Sequence, residues 1–73
     1  SISSNIAEGM DRESNKEKKR LLVIARGSTA ELRSQIYIGI DIKYIPKKTG
    51  NIWVQETREI SAMLVGLIKT LED

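Results

Sequence analysis

SNKEKKRLLVIARGSTAELRSQIYIGIDI, residues 14–42, is the stretch whose reading decides the fold. It opens with Ser14-x-x-Glu17, a capping box: the Ser14 hydroxyl accepts from the Glu17 amide while the Glu17 carboxylate reaches back to the Ser14 amide. Leu21, Leu22, Ala25, Ser28, Leu32, Ile36 and Gly39 follow mostly at spacings of three and four, the period that lines side chains along one helical stripe. No proline interrupts the run. The spacing predicts one long helix over about residues 15–42.

Its C-terminal end has a competing reading. Ile36, Ile38, Ile40 and Ile42 alternate with Tyr37, Gly39, Asp41 and Lys43, a β-branched strand pattern, and residues 51–55 (NIWVQ) offer a partner strand across a PKKTG turn. Against the hairpin, the helical stripe continues without a break before Pro46, and an isolated two-stranded hairpin is marginal in water. Beyond the IPKKTGN loop, Trp53, Thr57, Ile60, Leu64, Leu67 and Leu71 alternate spacings of four and three, with Met63 and Ile68 widening the seam. A helix over about residues 54–71 is predicted, with Asn51 as its cap. At the other end, Ile2 and Ile6 share a face in SISSNIAEG, and Gly9 suits a helix stop, so a short helix over about residues 1–9 is expected, joined by Met10 to Glu13.

Composition narrows the chemistry. The 73 residues form one domain near the lower size limit for a self-sufficient core. With no cysteine and no histidine, the chain lacks thiolate and imidazole ligands and the commonest general base. The Ser1, Ser3, Ser4, Asn5 and Glu8 cluster shows no nucleophile–base pair, Asp11 and Glu13 are an ordinary pair of loop acids, and no glycine loop cradles phosphate. No catalytic residue, metal site, cofactor or small-molecule substrate is therefore expected. No apolar run reaches the ~18 residues of a membrane span, and a cytoplasmic setting is expected. The formal charge is only +2, but it is unevenly placed: residues 12–33 hold seven basic and three acidic side chains, whereas residues 56–73 hold two and four.

Three runs, SISSNIAEG, IARGSTAEL (residues 24–32) and EISAMLVGLIKTL (residues 59–71), resemble in order and spacing the bacterial four-helix bundle family that includes proteins encoded within intervening sequences of large-subunit ribosomal RNA genes. The chain is also similar to the accessory variability proteins of diversity-generating retroelements. The resemblance implies an all-α, antiparallel up-and-down bundle, here a truncated one. The first run would end the second helix, the ARGS run would lie in the long third helix, and the last run would form the fourth. Ser3 stands where the family usually has proline, and the first helix and most of the second have no counterpart here. The resemblance favours helix over hairpin for residues 35–42, and it implies a homo-oligomer, a cyclic pentamer, with a link to ribosomal RNA.

The faces of the long helix carry the functional expectation. Lys19, Arg26 and Arg33 recur every seven residues beside the apolar stripe, with Tyr37 just beyond and Arg12 and Lys16 preceding them. Such a row suits RNA phosphates, arginine by bidentate contacts and lysine as a point charge; the plainer reading is a solvated flank of surface ion pairs. Opposite the core, Val23, Gly27, Ala30, Ser34 and Ile38 are small or apolar, a stripe suited to a neighbouring subunit or simply neutral surface. Trp53 reads as a core or edge anchor before it reads as a base-stacking residue. The expected function is a non-enzymatic, self-associating protein that binds RNA through its basic flank. The alternative is an oligomerisation module that recruits another protein and has no nucleic-acid role.

Overall fold

The computed structural model describes residues 14–72, so the expected helix over residues 1–9 and the basic residue Arg12 lie outside the described part. Two helices make up the described residues: α1 (Asn15–Asp41) and α2 (Lys47–Thr70). They pack antiparallel. Lys19 meets Glu72, Arg33 meets Thr57 and Ser61, and Gly50 lies against Ile40, so residue numbers rise on one helix as they fall on the other.

Helix α1 begins where its cap dictates. The Glu17 amide donates to Ser14 Oγ at 3.3 Å, satisfying one of the amides that a helix start leaves without an intrahelical partner. The second half of the expected capping box is replaced, because Glu17 Oε2 accepts instead from Arg20 Nε at 3.2 Å. The strand alternative for residues 36–42 is overturned: the helical ladder runs through Asp41, and no strand occurs among the described residues. At 100° per residue the alternating isoleucines spread around the helix. Ile36 is buried in the seam and Ile40 packs at the turn, while Ile38 and Ile42 face outward.

A Schellman-type turn stops α1. The Lys43 amide donates to the Ile40 carbonyl and the Tyr44 amide to the Gly39 carbonyl, with Lys43 in the left-handed region at φ 63°. Helix α2 then starts directly after Pro46, about two turns earlier than predicted, and Asn51 is an interior residue rather than a cap. Proline serves as the boundary because it carries no amide to leave unpaired, while its carbonyl accepts from the Gly50 amide at 2.9 Å. Thr49 and Gly50 look like loop residues in the sequence, but packing overrides their low helix propensity. Gly50 is buried, and a Cβ built on it would collide with the Ile40 side chain; one built on Gly39 would collide with Ile45.

That close approach sets the rotation of α2. With Gly50 turned toward α1, the buried line continues through Val54, Thr57, Ser61, Leu64, Ile68 and Leu71, a heptad seam facing Leu22, Ala25, Thr29, Arg33 and Ile36. The expected seam is thus corrected by about one stripe. Thr57, Leu64 and Leu71 belong to it, but Trp53, Ile60, Met63 and Leu67 on α2 remain exposed, as do Leu21 and Leu32 on α1. Only Leu22, Ile36, Val54 and Ile68 are buried large apolar side chains among the described residues. No helix of the described part is long and apolar enough to cross a membrane.

Candidate nucleic-acid interface

Two helices side by side have two broad faces, and the sequence fills them differently. On one face, α1 contributes Leu21, Ser28, Leu32 and Gln35, while α2 contributes Trp53, Glu56, Ile60 and Leu67. Leu32, Gln35, Ile36, Ile45, Trp53, Glu56, Thr57 and Ile60 enclose an open groove of about 430 Å³ there. Leu32 is 49% exposed and Trp53 44%. The charges flanking this face are mixed: Glu56 on α2, and Glu31 and the Glu17–Arg20 ion pair on α1.

The opposite face is basic. Lys19, Arg26, Arg33 and Tyr37 follow one another along α1 at spacings of seven, seven and four. Arg58, Ala62, Val65 and Lys69 run along α2 at spacings of four, three and four. The two rows are stitched together: Arg58 Nη2 donates to Tyr37 Oη at 3.0 Å, and Lys19 Nζ lies 3.4 Å from Glu72 Oε1. Glu72 is the carboxylate that pairs across the two rows, beside the cations Lys19, Arg26, Arg33, Arg58 and Lys69. Arg26, Arg58 and Lys69 are exposed.

The expected basic residues therefore do not share one environment. Lys16 is exposed near the start of α1, with its helical position turned away from the row, and Lys19 is half-buried and ion-paired. Arg33 lies in the seam itself. Its Nε donates to Thr57 Oγ1 at 2.9 Å, and its Nη2 donates to Ser61 Oγ at 2.7 Å and to the Thr57 carbonyl at 3.4 Å. Thr57, only 3% exposed, in turn donates its hydroxyl proton to the Val54 carbonyl at 2.6 Å. No buried side-chain polar atom among the described residues is left without a partner. Arg33 thus holds the helices together, and the cations presented outward are Lys19, Arg26, Arg58 and Lys69.

Arg58 and Lys69 were not legible as part of this site from local charge, because they sit in the acid-leaning C-terminal segment. Their signal was positional: eleven residues apart, three helical turns, they stand on one flank of the seam. Val23, Gly27, Ala30, Ser34 and Ile38 lie together on the outer edge of α1, away from α2, and all are exposed. Nothing lies within 4 Å of a Cβ built on Gly27.

Comparison with known proteins places this arrangement. The family model for 23S rRNA-intervening sequence protein matches residues 1–66, most of the chain. The chain belongs to this family. In this member of the intervening-sequence protein family, the ARGS run occupies the middle of α1, with Arg26 on the basic face and Gly27 on the outer edge. Neither the curated proteins nor the solved structures gave a match.

Proposed function

We propose that this intervening-sequence protein is a non-enzymatic, self-associating helical-bundle protein of the cytoplasm that binds RNA through backbone contacts. The observation that carries the reading is the separation of charge and apolar surface onto opposite faces. Apolar side chains exposed on one broad face suit a partner layer of helices, while four outward cations on the other suit a polyanion. The RNA context of the family name supports the choice of polyanion. Among the described residues this face carries one aromatic side chain, Tyr37, and no sheet of them, so phosphates rather than base edges would supply most of the affinity.

Self-association is supported by the apolar face that α1 and α2 leave exposed. Among the described residues four buried apolar side chains are a small core, and the Leu32–Trp53 face suits a second copy, with a ring such as a pentamer built from repeated contacts. The exposed groove also favours a second reading, an oligomerisation module that recruits protein and has no nucleic-acid role.

Fluorescence anisotropy with a labelled RNA separates the two. Wild-type protein is expected to bind, and the Lys19→Glu/Arg26→Glu variant to lose binding while keeping its helical circular dichroism. Equal binding by the folded double variant would leave only the module reading. Charge reversal at Arg33 is unsuitable for this purpose, because it would break the seam.

A further inference from the structure

The joining of Tyr37 to Arg58 across the seam adds something that a row of cations does not have. Tyr37 is the only aromatic residue on the two basic rows among the described residues, and it is 41% exposed. Its hydroxyl accepts from Arg58 Nη2 at 3.0 Å, so the ring and a guanidinium are held at a fixed separation by two different helices. Arg58 forms no ion pair with a described carboxylate, and its remaining N–H groups are directed away from the tyrosine oxygen. Arg26 lies eleven residues before Tyr37 on the same row, about 16 Å along the helix.

We propose that Tyr37 and Arg58 form a binding site for single-stranded RNA: Tyr37 stacks on an unpaired base, Arg58 holds the adjoining phosphate, and Arg26 holds a phosphate further along the strand. The reasoning is chemical. Every base has a π-face that an exposed aromatic ring can cover without regard to sequence, but in a duplex those faces are already stacked on one another. A purely cationic face would treat single and double strands alike apart from charge density. A ring braced by a guanidinium adds a contact open to single strands alone.

This inference rests on the RNA-binding reading above, and its test can fail separately. The probes are an oligouridylate of about 12 nucleotides and an RNA duplex of the same length. Tyr37→Leu is expected to weaken oligouridylate binding about tenfold and to leave duplex binding within about twofold. Tyr37→Phe, which keeps the ring, is expected to retain most of the single-strand affinity. Arg58→Gln is expected to weaken both probes, and the single strand more. Both positions are exposed, and unchanged thermal melting of the three variants would confirm that the fold is intact. If Tyr37→Leu binds oligouridylate like wild type while Lys19→Glu/Arg26→Glu does not bind, the stacking site is wrong and the phosphate-binding face stands. If wild type binds neither probe at about 50 mM salt, both are wrong.

Discussion

Arg33 Nε donates to Thr57 Oγ1 across the α1–α2 seam at 2.9 Å, with Ser61 Oγ taking a second hydrogen bond from the same guanidinium at 2.7 Å. A charged side chain in the middle of a helix–helix contact is tolerated because its donors meet hydroxyls and a carbonyl instead of bare apolar surface. Charged hydrogen bonds of this kind contribute about 1.5–3 kcal/mol each when their loss leaves a buried group unpaired. Arg33→Ala is therefore expected to lower unfolding stability by about 2 kcal/mol, and Thr57→Val, which removes the Nε acceptor but leaves the bonds to Ser61 and the Thr57 carbonyl, by about 1 kcal/mol. Arg26→Ala, on the exposed row, is expected to stay within about 0.5 kcal/mol. Urea unfolding followed by circular dichroism checks all three; equal effects at Arg33 and Arg26 would mean that the seam hydrogen bonds contribute nothing.

Three of the described glycines should respond in opposite directions. Gly39 and Gly50 are enclosed by Ile45 and Ile40 side chains, so Gly39→Ala and Gly50→Ala must push the turn apart, at a cost of about 1–3 kcal/mol. Gly66 has open space at its Cβ position, and Gly66→Ala is expected to stabilise α2 by up to about 1 kcal/mol through helix propensity. Thermal melting of the three variants reads the contrast.

Lys43 occupies a left-handed conformation that a non-glycine residue adopts at a cost of order 1 kcal/mol. Because the Schellman hydrogen bonds need that conformation, Lys43→Gly is expected to raise stability by roughly 0.5–1 kcal/mol despite the greater freedom of the unfolded glycine chain. A lower midpoint in denaturant would show that the lysine side chain contributes something its exposed position does not suggest.

Two surfaces compete for the role of subunit contact, and substitution separates them. Leu32→Glu and Trp53→Glu place a charge on the grooved face, whereas Ile38→Glu and Gly27→Ala alter the outer edge of α1. If copies meet through the groove, the first pair dissociates the assembly and removes the dependence of stability on protein concentration, while the second pair leaves sedimentation unchanged. If copies meet through the small-residue edge, Gly27→Ala weakens association although it favours the isolated helix. In a ring both surfaces are used, and both pairs weaken it. A monodisperse folded monomer at micromolar concentration would remove self-association altogether.

The sequence carried the elements better than their rotation. Ser14 and the apolar period were enough to place α1, because a cap and a repeat are local signals. The start of α2 was hidden, since Thr49, Gly50 and Asn51 have loop propensities and enter the helix only through a tertiary fit between Gly50 and Ile40. That same fit selected Val54 over Trp53 for the seam. Periodicity shows that both lie on an apolar side, but a stripe wide enough for two neighbours does not say which neighbour takes which half. Arg33 was misplaced for a related reason: its spacing matches Lys19 and Arg26, and only the hydroxyls of Thr57 and Ser61, 24 and 28 residues away, draw it inward. Arg58 and Lys69 joined the basic face through topology alone.

The salt dependence of RNA binding tests the central proposal most directly. Four outward cations on one protomer, each displacing counterions from a single strand, would lower affinity about 50-fold between about 50 and 200 mM salt. Replacing Arg26 with glutamine should reduce the slope of log affinity against log salt by about 0.7–1, and replacing Arg58 should do the same. An unchanged slope in both folded variants, or binding that does not respond to salt, would contradict the assignment of this face to RNA.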